Sequence, residues 1–269
     1  MLLLLIITLF LVAYALAGWL HRRGRPDWRK DVLAAGLLAL ACIGYFWRVL
    51  AGDSFMPADG GDLLSFLWPT YRFAAESLQA GQWPLWNPHL YSGAPHVADI
   101  QAGFLYPPNL ALFLASADFG ALAMQGMSIL HMWWAGLGMY VLLRSLCSSD
   151  ADGAPRSLAG RPAALAAGVA FAFSDPFWIH FGNLNLIAVA SWLPWVVACY
   201  ARALEGRVQG NTDTQRHASR FTPNPSLAWS AVGGLLLGVA TLAGHIQSTL
   251  FIGVTVVLYG LFWVFFELQ

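Results

Sequence analysis

Asp62 stands directly after Gly60-Gly61 and before an apolar run, where a carboxylate can cap a helix or face a ligand that glycine backbone admits closely. As an N-cap it contributes about 1 kcal/mol of helix stability. Further along, Gly81-Gln82-Trp83-Pro84-Leu85-Trp86-Asn87-Pro88-His89 leads into Tyr91-Ser92-Gly93-Ala94-Pro95-His96. Proline lacks a donor and restricts its predecessor, so this stretch reads as a rigid aromatic loop. Trp83 and Trp86 suit either an anchor at the lipid headgroup level or a stacking platform for a sugar ring, and residue type alone favours the anchor. Two later polar turns, one spanning Ser174-Asp175-Pro176 to Asn183-Leu184-Asn185 with His180 inside it, the other Gly244-His245-Ile246-Gln247, interrupt apolar sequence. Ionisable groups near membrane depth often mark a site, whereas a lone histidine at a span end is commonly an interfacial residue. His131, within an apolar stretch, fits a helix-packing hydrogen bond equally well. No GxxxxGK[ST], HExxH or GxSxG occurs, which leaves nucleotide hydrolysis and the common hydrolase motifs without support.

The elements that must position these residues are membrane spans. Of 269 residues, 58% are hydrophobic and 10% charged, against about 25% charged in soluble domains. A soluble globule is excluded. Fourteen basic and fourteen acidic residues balance to zero, so no basic excess is present to hold nucleic acid. Cys42, Cys147 and Cys199 are far apart and give neither a disulfide nor a zinc pattern. A span takes about 20 apolar residues, and seven windows qualify: 2–20, 32–50, 121–143, 162–177, 184–203, 227–243 and 248–266. The first is followed by His21-Arg22-Arg23-Gly24-Arg25 and not by a cleavage site, so it reads as a true span with its N-terminus outside. Alternating seven spans leaves only Arg48 and Arg72 outside, as the positive-inside rule demands. The outer face then carries Asp53, Asp59, Asp62, Glu76, Asp99, Asp118 and Asp175 and is net negative.

The expected fold is an all-α integral membrane protein of about seven transmembrane helices, a single domain over 1–269, with a large external loop at 51–120. Such a length exceeds a simple connection and is commonly functional. Within it, helical spacing of Leu63, Phe66, Leu67, Tyr71, Ala74 and Leu78 predicts an amphipathic interfacial helix over 63–79. Tyr106-Pro107-Pro108 opens a second short interfacial or re-entrant helix that runs to Ala117, with prolines where a helix start tolerates them. The inner loops 144–161 and 202–225 read as linkers without chemistry.

The ordered string Gly61-Asp62, Gly81-Gln82-Trp83-Pro84-Leu85-Trp86-Asn87-Pro88, Gly93-Ala94-Pro95, Tyr106-Pro107-Pro108 and Gly244-His245-Ile246-Gln247 resembles the bacterial YfhO-like membrane proteins, which belong with the GT-C glycosyltransferases. The resemblance runs from about Asp59 to Gln247. It implies a bacterial cytoplasmic-membrane enzyme that moves a sugar from a polyprenyl-phosphate donor to an extracytoplasmic acceptor. It also implies an essential acidic residue in the first external loop, the place Asp62 occupies. Similar proteins start one span later than this chain and continue with further spans, which makes an N-terminal portion the expectation here. The competing expectation is a non-catalytic transporter or flippase, or an assembly subunit, that handles lipid-linked sugars.

On that reading Asp62 is the base that deprotonates the acceptor hydroxyl. The departing phosphate meets Arg72 or a histidine among His89, His96, His180 and His245, or a Mg²⁺ or Mn²⁺ ion held by Asp62 with Asp59 or Asp99. Trp83 and Trp86 stack on the sugar, and His245 with Gln247 hydrogen-bonds sugar or lipid phosphate.

Overall fold

The computed structural model describes residues 26–146, 160–209 and 225–266. The expected span 2–20, the basic run 21–25, Cys147 and most of both expected inner loops lie outside the described residues.

The chain is a helical membrane protein. Four segments are long and apolar enough to cross a bilayer: Ala121–Leu146, Arg161–Ile179, Leu184–Leu204 and Ile246–Phe266. Ser226–Thr241 is a shorter apolar helix. Helix α1 (Pro26–Tyr45) covers much of the expected second span, with Arg29, Lys30 and Asp31 in its first turns, and leads into the short α2 (Trp47–Leu50). At the centre stands α5 (Ala121–Leu146), packed on α1, α6 (Arg161–Ala172), α8 (Leu184–Ala190) and α9 (Leu193–Gln209). A short α7 (Asp175–Ile179) links α6 to α8, and α10 (Pro225–Thr241) and α11 (Ile246–Phe266) pack beside α9.

Small residues set the closest of these contacts. A Cβ on Gly136 would stand 2.8 Å from the Gly168 carbonyl oxygen, and one on Gly168 would stand 2.7 Å from that of Gly136. Only glycine lets α5 and α6 approach so closely, as is usual where apolar helices associate without a hydrophobic driving force between them. On another face of α5, Gly138 makes room for the Trp195 indole, whose Nε1 donates to the Trp134 carbonyl at 3.0 Å while the two indoles stack at 4.3 Å.

At one end of the bundle, Asp31 accepts from Tyr140 Oη and from Arg161 Nε at 3.0 Å, with Arg144 Nε at 3.8 Å. This half-exposed group ties the start of α1 to the end of α5 and the start of α6. The inner loops were expected to carry no chemistry, and the residues of this junction lie on the helices that border them.

Segment 51–120 collects at the other end. Leu63–Leu67 is a π-helical turn that runs into α3 (Trp68–Gln79). A single α-helix is the sequence expectation; instead Trp68 N–H reaches back to Leu63 O, just before Pro69, whose missing N–H interrupts the α ladder. Leu63, Leu67, Tyr71, Ala74 and Ala75 are buried, with Phe104, with Phe113 of α4 (Pro107–Ala115), and with Met124 and Leu184 at the starts of α5 and α8. The proline-tryptophan stretch is more regular than a loop. Trp86–Asn87 (β1) pairs antiparallel with Ala94–Pro95 (β2), in register Trp86↔Pro95 and Asn87↔Ala94.

Candidate functional site

Three connections meet at the Asp62 end. Pro57 packs against both Gly61 and Gly182, where a Cβ on Gly182 would lie 2.6 Å from the proline ring. This contact brings the start of the π-turn beside the α7–α8 turn. Asp62 sits at the N-cap position, yet its side chain makes no capping bond. The carboxylate is exposed, and its Oδ2 accepts a long 3.4 Å hydrogen bond from Asn183 Nδ2. Asn183 is the residue that caps: its Oδ1 accepts from Leu186 N–H at 3.2 Å at the start of α8.

The third connection is the α10–α11 turn. Gly244 has φ +92°, and a Cβ there would fall 2.2 Å from the Ile100 carbonyl oxygen, so this turn lies against the 3₁₀ turn Ile100–Ala102. His245 follows. Its Nδ1 accepts from Ser248 N–H at 3.2 Å and lies 2.7 Å from Ser248 Oγ, which places the ring proton on Nε2. His180 has the opposite arrangement. Its Nδ1 lies 2.9 Å from the Pro176 carbonyl, which can only accept, so Nδ1 holds the proton and a neutral ring keeps a lone pair at Nε2. Burial lowers the His245 pKa below the usual imidazole value, and the charge of nearby His180 lowers it further. The Asp62 carboxylate meets the Asn183 amide, His180 lies on the same turn as Asn183, and His180 and His245 are close enough for their charges to interact. Such a set can take a proton from a hydroxyl and hydrogen-bond an anion.

Two buried polar networks fix this end to the helices below. Tyr71 Oη donates to Asn185 Oδ1 at 3.2 Å and accepts from Asn109 Nδ2 at 2.7 Å, while Asn185 Nδ2 donates to the Gln101 carbonyl at 2.6 Å. Tyr106 Oη donates to His131 Nε2 at 2.8 Å and accepts from Trp192 Nε1 at 2.9 Å; His131 Nδ1 donates to Met127 O. His131 is thus a packing partner, and Tyr106 of the Tyr106-Pro107-Pro108 string ties the segment to α5 and to the turn between α8 and α9.

The other expected site residues go elsewhere. Arg72 Nη2 pairs with Glu76 Oε1 at 3.1 Å, with its guanidinium 5.7 Å from the Trp68 ring centroid, and His89 lies edge-on to Phe73 at 5.9 Å. Both line a groove on α3. Trp83, just before β1, and Trp86 on β1 are exposed; Trp83 meets Phe104 edge-on at 5.7 Å, and the Trp86 ring lies over Gly93. His96 is 2% exposed and enclosed by Phe73 and Phe104. Gln247 is exposed in the first turn of α11.

The three expected metal-holding carboxylates are engaged separately. Asp59 Oδ1 accepts from Gly61 N–H at 3.2 Å and Asp99 Oδ1 from Gln101 N–H at 2.9 Å, each closing a local turn. Among the described residues no group of three or more His, Cys, Asp or Glu is placed to hold a metal ion. Asp59, Asp62 and Asp99 therefore do not form a fitting set of ligands for Mg²⁺ or Mn²⁺. Asn183 was missed in the sequence because an asparagine before a helix reads simply as its cap.

Compared with known proteins, the chain matches no family, no curated protein and no solved structure. The likeness to YfhO-like proteins stands on its motif residues alone.

Proposed function

We propose that the protein is a membrane glycosyltransferase that moves a sugar from a polyprenyl-phosphate donor to an acceptor on the extracytoplasmic side, with Asp62 as general base. The observation that carries this reading is a carboxylate at a helix start that does not cap its helix and stands exposed beside Asn183. In the reaction, Asp62 takes the acceptor hydroxyl proton as that oxygen bonds to the anomeric carbon. The bond from that carbon to the phosphate oxygen breaks, and its electron pair leaves with the phosphate. Asn183 orients the carboxylate. His245 Nε2–H, with Gln247 beside it, hydrogen-bonds the departing phosphate, and His180 joins when protonated. Placing Asp62 on the outer face is supported by the sequence, since alternating spans leave only Arg48 and Arg72 of the basic residues on its side.

The test is transfer of radiolabelled sugar from a panel of polyprenyl-phosphate donors by membranes holding the full-length protein, with and without chelator. Donor consumption with a labelled product is the expected result. If a correctly inserted protein consumes no donor across a broad panel, the transporter or assembly-subunit reading takes its place.

A further inference from the structure

The flank of α3 bearing Arg72 and Glu76 faces the β1–β2 hairpin across a groove of about 340 Å³, lined by Trp68, Arg72, Phe73, Glu76, Asn87 and His89 among others. None of these is in the Asp62 cluster. Asn87 is 2% exposed, and its Oδ1 is occupied by His89 N–H at 2.9 Å. Its amide Nδ2 has no hydrogen-bond partner among the described residues, yet it is not sealed from solvent. A buried amide that lines a groove with its donor unpaired lacks an acceptor that a ligand would supply. The exposed His89 ring likewise has no hydrogen bond among the described residues, only its edge contact with Phe73.

The remaining walls define the ligand. Arg72 and Glu76 are locked together at 3.1 Å and cancel in charge, presenting donors and an acceptor along one helix flank. Glu76 opposes a phosphate and Arg72 opposes a cation. An apolar ligand would leave the Asn87 donor unpaired, at about 1–3 kcal/mol. Trp68 and Phe73 add apolar ring surface. A neutral ring with hydroxyls at its rim and C–H groups on its faces satisfies all of these at once. The volume lies at the small end of the range of about 300–1,000 Å³ for ligand sites.

We infer that the groove between α3 and the β1–β2 hairpin binds a neutral saccharide of roughly one or two rings, held by Asn87, the Arg72–Glu76 pair and the Trp68 and Phe73 rings. Resting on the transferase reading, its occupant is the acceptor's own sugar, bound on the same helical unit that begins after Asp62.

The test is ligand-observed NMR on the full-length protein in nanodiscs, titrated with maltose, cellobiose, lactose and diacetylchitobiose. Glucose 6-phosphate and choline serve as charged probes. Saturable binding of at least one neutral disaccharide is expected, weakened tenfold or more in Arg72→Gln and in Glu76→Gln, both surface changes that leave the core intact. Absence of saturable binding by any neutral saccharide, indifference to both groove substitutions, or preference for a charged probe would overturn the proposal. Groove binding without any sugar transfer contradicts the transferase reading alone. Transfer without groove binding contradicts the groove alone.

Discussion

Single residues at the Asp62 end divide into those that can meet a substrate and those that hold them there. Asp62 and His245 offer reactive atoms, while Asn183 and Ser248 set their orientation. His96 belongs to neither group, enclosed by Phe73 and Phe104. Burial lowers its pKa below the usual value, with Asp99 pulling the other way, and His245 is lowered as well. Unfolded imidazoles titrate near about 6.5. Between that value and the lower folded values the unfolded chain binds more protons, so stability is full above about 6.5 and falls as pH drops through the folded values. The thermal midpoint in detergent is therefore expected to decrease from pH 7 to pH 5, and to decrease less in His96→Phe, which keeps the aromatic packing and removes the charge. An equal or steeper acid loss in the variant would contradict this assignment. Asp62 was singled out in sequence through the resemblance to YfhO-like proteins, since its place before an apolar run reads by itself as an N-cap. Its partner was not, because Asn183 lies 121 residues away and only the fold brings it near.

Among the elements, the turn between α10 and α11 is the one whose local sequence most constrains the site. Gly244 has positive φ and abuts the Ile100 carbonyl at a distance no Cβ tolerates. Gly244→Ala is expected to destabilise the protein by about 1–3 kcal/mol through backbone strain alone, with further loss from the clash. Gly253→Ala serves as its control, since nothing lies within 4 Å of a Cβ there and α11 gains helix propensity. Thermal midpoints of the two variants that move alike would contradict the role given to this turn. The amphipathic pattern over 63–79 put Leu63, Leu67, Tyr71 and Ala74 on one helix face, but that face, expected at the lipid interface, is buried against Phe104 and Phe113, while Pro107-Pro108 opens a helix as expected. The π-turn before Pro69 and the hairpin at Trp86 escaped notice for different reasons. A widened turn keeps an apolar stripe that reads as α-helical, and a two-residue ladder between prolines leaves no alternation to detect.

For the whole molecule, the bundle has two chemically distinct ends. One gathers Asp31, Arg144 and Arg161, and the other gathers Asp62, His180, Asn183 and His245. Four of the described segments are long enough to cross a bilayer, and that the chain is built from apolar helices was readable from apolar length. Convergence of three remote turns on one end was not, because it depends on glycine contacts between segments far apart in sequence. The proposed orientation predicts that, in a variant with its native cysteines replaced, Tyr91→Cys reacts with an impermeant maleimide on intact cells. Arg29→Cys should react only after permeabilisation, and the reverse pattern would contradict the orientation. The proposed sugar transfer depends on the exposed Asp62 carboxylate. Its most direct test is the transfer rate from the best polyprenyl-phosphate donor, wild type beside Asp62→Asn, with membrane insertion of both verified. A loss of about 100-fold or more is predicted, the lower bound for removing a general base. Transfer by Asp62→Asn within a few-fold of wild type would contradict the claim.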